Sequence, residues 1–253
     1  MGAIVLTNVT KEFSLPGGER LRVLENVSFE SPDGSFTSIL GPSGCGKSTI
    51  LNLIARLDKH SSGTISAGGN RVGFVFQQPR LLNWRTIAGN VTLPLEGGDF
   101  DHDALRALAE KQLALVGLAG YENYYPLQLS GGMQQRVAIA RALAIDPDVL
   151  LMDEPFSGLD EITGRKLRRE LIRIWQETGK TILFVTHSIS EAVFLSQQVL
   201  IVSAKPATIF KRLTIDLPYP REYGDLRLFE LETGLTRDFL GMGDETTKST
   251  KGT

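Results

Sequence analysis

The chain has 253 residues, enough for one large α/β domain or two small lobes with a real core. Lys and Arg number 27 against 29 Asp and Glu, and a net charge of −2 removes any electrostatic case for a nucleic-acid partner. The only cysteine, Cys45, excludes an internal disulfide and a cysteine-cluster metal site.

From the N-terminus, "IVLTNVTKEF" and "RVLENVSFE" read as antiparallel strands joined by a turn at "PGGE". The first residues show neither the basic region nor the long apolar region of a secretory signal, and the apolar runs are of strand length. A cytoplasmic location is therefore expected, and any service to a membrane needs a partner that holds the chain there. Short apolar runs then alternate with helix-period segments, the pattern of a mostly parallel sheet covered by helices. Strands are predicted at 36–40, 72–76, 149–152, 182–185 and 199–202, buried on both faces because their apolar character is continuous.

Residues 85–144 have a different texture. "DALRALAEKQLALVGL" is helical, and "YYPLQ" interrupts it before "SGGMQQRVAIARAL" begins. A helical insertion is expected here, dividing residues 1–218 into a core (1–84 and 145–218) and a helical subdomain (85–144). From residue 217 the sequence predicts a Pro-bounded turn and an amphipathic helix with Leu226, Phe229, Leu235 and Phe239 on its apolar face. Residues 219–253 form a C-terminal extension, and the small, polar composition of 241–253 predicts a disordered tail.

"GPSGCGKST" at 41–49 matches G-x-x-x-x-G-K-[ST], follows a predicted strand and opens a helix. Gly41, Pro42, Ser43, Gly44, Cys45, Gly46, Lys47, Ser48 and Thr49 are expected to cradle phosphates. Backbone N–H groups would wrap the α- and β-phosphates, Lys47 would reach the β- and γ-oxygens, and the Ser48 hydroxyl would ligate Mg²⁺. Cys45, at a helix start, is expected to carry a reactive thiol that nucleotide protects. "VLLMDEP" ends a buried strand in two carboxylates, Asp153 placed to hold Mg²⁺ and Glu154 to polarise the water attacking the γ-phosphate.

"GFVFQQP" and "ILFVTHS" set Gln77 and His187 just past other strands, and ligands of open α/β sheets bind outside the carboxyl ends of strands. His187 alone reads equally as a core histidine; His60 and His102 fall in polar loops and read as surface residues. A second helix start is built like a phosphate seat, with Ser130 as cap and Gly131 and Gly132 leaving the backbone open to close approach.

Taken in order, these segments resemble the motifs of the ATP-binding-cassette (ABC) ATPases, the nucleotide-hydrolysing subunits of ABC transporters. Residues 41–49 resemble a Walker A, Gln77 a Q-loop, 129–133 the signature, 149–154 a Walker B, "SGLD" at 157–160 a D-loop, and His187 a switch histidine. The resemblance spans about residues 3–215, and the wording is most similar to the nitrate/sulfonate/taurine-type importers. Met133, Arg56, Ser188 and Ser196 depart from the commonest family residues, and none of them removes a phosphate, metal or base group.

The resemblance implies a P-loop NTPase fold of the ABC type, with ATP as nucleotide and Mg²⁺ held by Ser48, Gln77 and Asp153. It implies hydrolysis by Glu154 with His187, Gln77 and Lys47, and adenine stacked on Phe13, which otherwise reads as a core residue. It implies a head-to-tail dimer in which Ser130, Gly131 and Gly132 complete the other copy's ATP site, with Asp160 at the same interface. Leu81, Leu82 and Trp84 in "PRLLNWRT" would border the groove for a transmembrane permease, or else pack against the helical insertion. A solute-binding protein outside the membrane, a peripheral position on its cytoplasmic face and a small anionic solute complete the expectation. The alternatives are a soluble ABC ATPase outside transport and a P-loop kinase or switch.

Overall fold

The computed structural model describes residues 2–69 and 71–249. β1 (Ile4–Ser14) and β2 (Arg20–Ser31) form the expected antiparallel pair, with Leu6 opposite Phe29 and Phe13 opposite Leu21. β3 (Phe36–Leu40) is buried at every position and leads through the glycine loop into α1 (Lys47–Ile54). Arg56, just past α1, has φ 59°, the left-handed conformation that explains why glycine suits that place. β4 (Ser62–Ala67) pairs with β1 and completes a three-stranded sheet in the order β2-β1-β4.

β5 (Val72–Val75) is followed by three helices, α2 (Ile87–Thr92), α3 (His102–Leu115) and α4 (Gly131–Ala144), which pack on one another before the chain returns as β6 (Val149–Asp153). Then come α5 (Glu161–Thr178), β7 (Thr181–Thr186), α6 (Ile189–Leu195), β8 (Gln198–Val202) and β9 (Ile209–Thr214). The second sheet has the order β5-β6-β7-β3-β8-β9 and is parallel except for β9, which is antiparallel to β8. Its five parallel strands are the predicted ones; β4 and β9 are additions that the sequence did not announce.

Alternation along the parallel strands divides the core in two. Phe36, Leu150, Met152, Ile182 and Phe184 face the layer of α4, α5 and α6, while Ile39, Val149, Leu151, Leu183 and Val185 face α1 and the three-stranded sheet. Each such side chain contributes about 1.5–3 kcal/mol through burial. Because β3, β5, β6 and β7 run parallel, their carboxyl ends share one edge of the sheet. The glycine loop, Gln77, Asp153, Glu154 and His187 all leave from that edge.

The final helix, α7 (Leu226–Ser249), corrects two expectations. Its buried stripe is Leu228 and Leu235, with Leu231 and Phe239 packed beside them, whereas Leu226 and Phe229 are 76% and 66% exposed. The helix also continues to Ser249, where the composition of 241–253 predicts disorder. Once the packed turns from Leu228 to Leu235 nucleate it, each added residue gains a hydrogen bond at little further cost. Residues 250–253 of that expected tail lie outside the described residues.

Candidate functional site

Five helix starts are capped by the side chains that sequence rules favour. Thr86, Asp101, Ser130, Asp160 and Ser188 each accept a backbone N–H from the first turn of α2, α3, α4, α5 and α6. α1 differs. Its N-cap is Gly46, at φ 121°, with no side chain to accept those hydrogens. Its open N–H groups and positive dipole end face the glycine loop, the arrangement that receives a phosphate.

Beside that loop is a cleft of about 510 Å³ lined by Phe13, Leu21, Val23, residues of 43–49, Gln77, Asp153, Glu154 and Lys205. Lys47 is buried and donates through Nζ to the carbonyls of Gly41 and Pro42, both at 2.9 Å. The same Nζ lies 3.5 Å from Glu154 Oε1, so a cation sits at the foot of the cleft. Ser48 Oγ donates to Asp153 Oδ1 at 3.0 Å. Burial pushes the Asp153 carboxyl above the usual carboxylate range, while the Ser48 hydrogen bond pulls it back.

Asp153 ends β6, and Glu154 turns away from it at φ 43°, a conformation that costs a non-glycine residue on the order of 1–3 kcal/mol. That turn separates the two carboxylates' directions. Asp153 faces Ser48, while Glu154 Oε2 meets His187 Nδ1 at 2.8 Å. Gln77 lies across from them and donates through Nε2 to Ser157 Oγ at 3.3 Å. Five of the predicted site residues thus gather at one mouth, and His187, more than half exposed, is no core histidine.

Among the described residues, no group of three or more His, Cys, Asp or Glu could hold a metal ion by itself. Ser48 and Asp153 nevertheless bring two hard oxygens together beside a phosphate cradle, and Gln77 can bring a third. This donor set fits Mg²⁺, a hard cation held by one or two carboxylates with few other protein oxygens, its shell filled by phosphate oxygens and water.

Phe13 is 37% exposed and lines the mouth of the cleft, so it is a wall residue and not a core one. Lys11 Nζ lies 4.4 Å from its ring centroid. Leu21 and Val23 from the paired strand continue that apolar wall, and Lys205 faces it from beyond β8; sequence reasoning missed all three. The alternation of "RLRV" in β2 could have indicated Leu21 and Val23, but nothing local distinguishes Lys205.

Cys45 overturns an expectation. It does start the turn into α1, yet it is 2% exposed, and burial pushes its thiol up. Its Sγ packs where a Cβ on Gly41 would come within 3.1 Å. A helix start favours a thiolate that stays solvated, and at Cys45 desolvation outweighs it. A maleimide is therefore expected to label Cys45 only in denaturant. Mass spectrometry of native and unfolded samples checks this, and rapid native labelling would contradict the burial.

The helix start expected as a second phosphate seat lies apart. None of Ser130, Gly131 and Gly132 lines the cleft of the glycine loop. Ser130 and Gly131 are exposed, and the Ser130 oxygen accepts from Met133 N–H at 3.3 Å, which leaves its own hydroxyl hydrogen free to donate outward. Gly132 has an additional reason to be glycine, since a Cβ there would come 2.7 Å from Thr163 Cγ2 on α5. Asp160 caps that same α5 through Thr163 N–H at 3.0 Å.

The far end of α4 is tied to the segment after Gln77. Arg141 donates to the carbonyls of Arg80 at 2.9 Å and Pro79 at 2.6 Å, and burial lowers its pKa. Beyond those residues the "LLNW" loop divides. Leu81 packs on the core and Leu82 N–H donates to Asn90 Oδ1, whereas Trp84 is 76% exposed. Among the described residues, no helix is long and apolar enough to cross a membrane.

Comparison with known proteins places these features in a common frame. A family model described as "ABC transporter" matches residues 24–157. An aliphatic sulfonates import ATP-binding protein of Bacillus cereus is 42% identical over 244 residues, covering 93% of this chain and 95% of that protein. A taurine import ATP-binding protein of Pelagibacter ubique is 40% identical, covering 90% and 88%. Among solved structures, a dimeric ATP-binding cassette in a post-hydrolysis state with ADP and Pi superposes with a TM-score of 0.75 at 36% identity. It covers 85% of this chain and all of that one.

Proposed function

This chain belongs to the ABC transporter family, and we propose that it is the ATP-hydrolysing subunit of an importer for an organosulfonate such as an aliphatic sulfonate or taurine. The reading is supported above all by one arrangement: the open glycine loop shares its cleft with Lys47, Ser48, Asp153 and Glu154, and the exposed helix start at Ser130 does not line that cleft.

In this reading the open N–H groups of 43–49 and Lys47 hold the phosphates, and Phe13 stacks on the adenine. Ser48, Gln77 and Asp153 would hold Mg²⁺, which would supply neutralisation of the phosphate charge. Glu154 accepts a proton from the attacking water, and His187, on its other oxygen, orients it. Two copies meet head to tail, so that Ser130, Gly131 and Gly132 of each complete the site of the other across a two-fold axis, with Asp160 at the seam. Residues 85–144 act as a helical subdomain on the nucleotide core of 1–84 and 145–218. The complex includes a permease, contacted through the segment from Gln77 to Thr86, and an extracytoplasmic solute-binding protein. The subunit sits peripherally on the cytoplasmic face of the membrane.

Reconstitution with the permease and binding protein in proteoliposomes tests the whole proposal. Sulfonate-loaded binding protein is expected to stimulate ATP hydrolysis and sulfonate uptake. Failure to associate with any membrane protein would favour an ABC ATPase outside transport, and stimulation by nitrate alone would displace the sulfonate.

Trp84 gives a narrower test of the docking surface. Buried aromatic anchors at interfaces cost about 2 kcal/mol or more on truncation, roughly a thirtyfold loss of affinity. Trp84→Ala is expected to weaken permease binding by that order while leaving the melting temperature nearly unchanged, because the residue is 76% exposed. Unaltered permease affinity in a binding titration would remove Trp84 from the interface.

A further inference from the structure

Behind His187 lies a shielded charge pair that the nucleotide cleft does not use. Glu191, in the first turn of α6, has a side chain 13% exposed, and that of Arg168 on α5 is 5% exposed. Glu191 Oε1 lies 3.6 Å from Arg168 Nη1, and Glu191 Oε2 accepts from Thr186 Oγ1 at 2.6 Å. Thr186 Oγ1 in turn accepts the Ser188 N–H at 3.0 Å, and Ser188 Oγ accepts the Glu191 N–H at 3.3 Å. The residues on either side of His187 are thereby closed into a hydrogen-bonded ring anchored on one carboxylate.

Arg168 carries that anchor to the start of α5. Its Nε donates to Gly164 O at 3.2 Å and its Nη2 to Glu161 Oε1 at 3.3 Å. A Cβ on Gly164 would lie 3.2 Å from Nη2, so glycine makes room for the guanidinium. Asp160, the cap of this helix, precedes Glu161 directly. From the C-terminal segment, Tyr223 stacks on Phe194 with centroids 4.1 Å apart and stands 5.6 Å from the Arg168 guanidinium, closing one side of the pair. Well-packed apolar residues would serve stability as well as a buried ion pair. They could not supply a directed acceptor for Thr186.

We propose that Glu191, oriented by Arg168, is a positioning residue for hydrolysis: it fixes the backbone of 186–188 so that His187 Nδ1 stays on Glu154, and it ties that orientation to the first turn of α5. This rests on the assignment of Glu154 and His187 to hydrolysis. It makes the alignment of His187 on Glu154 depend on where the Asp160 end of α5 stands.

The test uses the full chain. Glu191→Gln keeps the size and an acceptor for Thr186 but loses the charge facing Arg168. Its kcat for ATP is expected to fall about tenfold with KM within twofold, the pattern of a misplaced group and not of lost binding. In spectra of ¹³C-histidine-labelled protein the His187 ring signals should move, while those of His60 and His102, both on the surface, stay in place and report an intact fold. In a His187→Ala background, Glu191→Gln should change the residual turnover no further.

An unchanged kcat with unmoved His187 signals would overturn the proposal, as would an equal loss in the His187→Ala background. If Glu191→Gln disturbs the His60 and His102 signals, the double variant Arg168→Met/Glu191→Leu removes the pair without stranding a charge. Parental turnover in that variant also overturns the proposal, and the same tenfold loss supports it. If His187→Ala and Glu154→Gln themselves turn over like the parent, the hydrolysis assignment fails and the positioning role falls with it. If they lose turnover while Glu191→Gln does not, only the positioning role fails.

Discussion

Glu154→Gln is expected to bind ATP as well as the parent and to lose turnover by about 10²- to 10⁴-fold, the range general-base catalysis contributes. Glutamine keeps the length of the side chain and can still meet His187, now 2.8 Å from Glu154 Oε2. It cannot take a proton from water. It also removes the carboxylate 3.5 Å from Lys47 Nζ, which frees that ammonium for phosphate. Binding should therefore not weaken, and an ATP-bound dimer should accumulate because the step that dismantles it is blocked. Equilibrium titration with ATP, single-turnover hydrolysis and light scattering after size exclusion report the three quantities. Asp153→Asn serves as the contrast, since it should weaken nucleotide binding only when Mg²⁺ is present. Parental turnover in Glu154→Gln would remove Glu154 from the chemistry.

Mixing two dead variants is expected to restore activity if, as proposed, the Ser130 seat serves the other copy. Lys47→Ala loses the phosphate lysine, and Ser130→Arg fills the outward seat with a bulky cation. In a head-to-tail mixed dimer one site combines both lesions, and the other has an intact Lys47 facing an intact Ser130. About half of an equimolar mixture is mixed by random pairing, so roughly a quarter of the sites recover if they act independently. The reciprocal mixture guards against cooperativity between sites. Wild type with the Lys47→Ala/Ser130→Arg double variant gives mixed dimers with two broken sites if Ser130 acts across the interface, and with one intact site if it acts at home. Rescue in the first mixture together with loss in the second supports the cross-chain arrangement; the reverse defeats it.

Which features the sequence disclosed follows from how local their causes are. The glycine loop, Asp153, Glu154, Gln77 and His187 were legible because each is a polar group at the end of a continuous apolar strand, and parallel topology then brings those ends to one edge. β4 escaped because "SGTISA" is exposed or half-buried and offers no alternating face; it is a strand only because β1 has a free edge. β9 escaped likewise, as an antiparallel edge strand with a mostly polar surface. In α7 two apolar stripes compete at helical spacing, and the tertiary contact selected Leu228 and Leu235 over Leu226 and Phe229. Cys45 shows the same limit, since its burial is decided by Gly41 and the surrounding core and not by its place at a helix start. The Glu191–Arg168 pair joins residues of two helices across β7, which no local pattern could announce.

α4 also has a mechanical meaning. Its 14 residues make a rod about 20 Å long, with the outward-facing Ser130 at one end and Arg141 gripping the Pro79 and Arg80 carbonyls near the other. Tilting such a rod by about 10° about Ser130 sweeps Arg141, about 16 Å along it, through ~3 Å, more than a hydrogen bond can stretch and survive. Arg141 would have to abandon two carbonyls and stand desolvated without a partner, so the cheaper outcome is that the backbone of 79–80 travels with it. A rotation of α4 by that angle about Ser130 would thus carry the backbone before Trp84 through about 3 Å, with α4 as the crank and Arg141 as its pin.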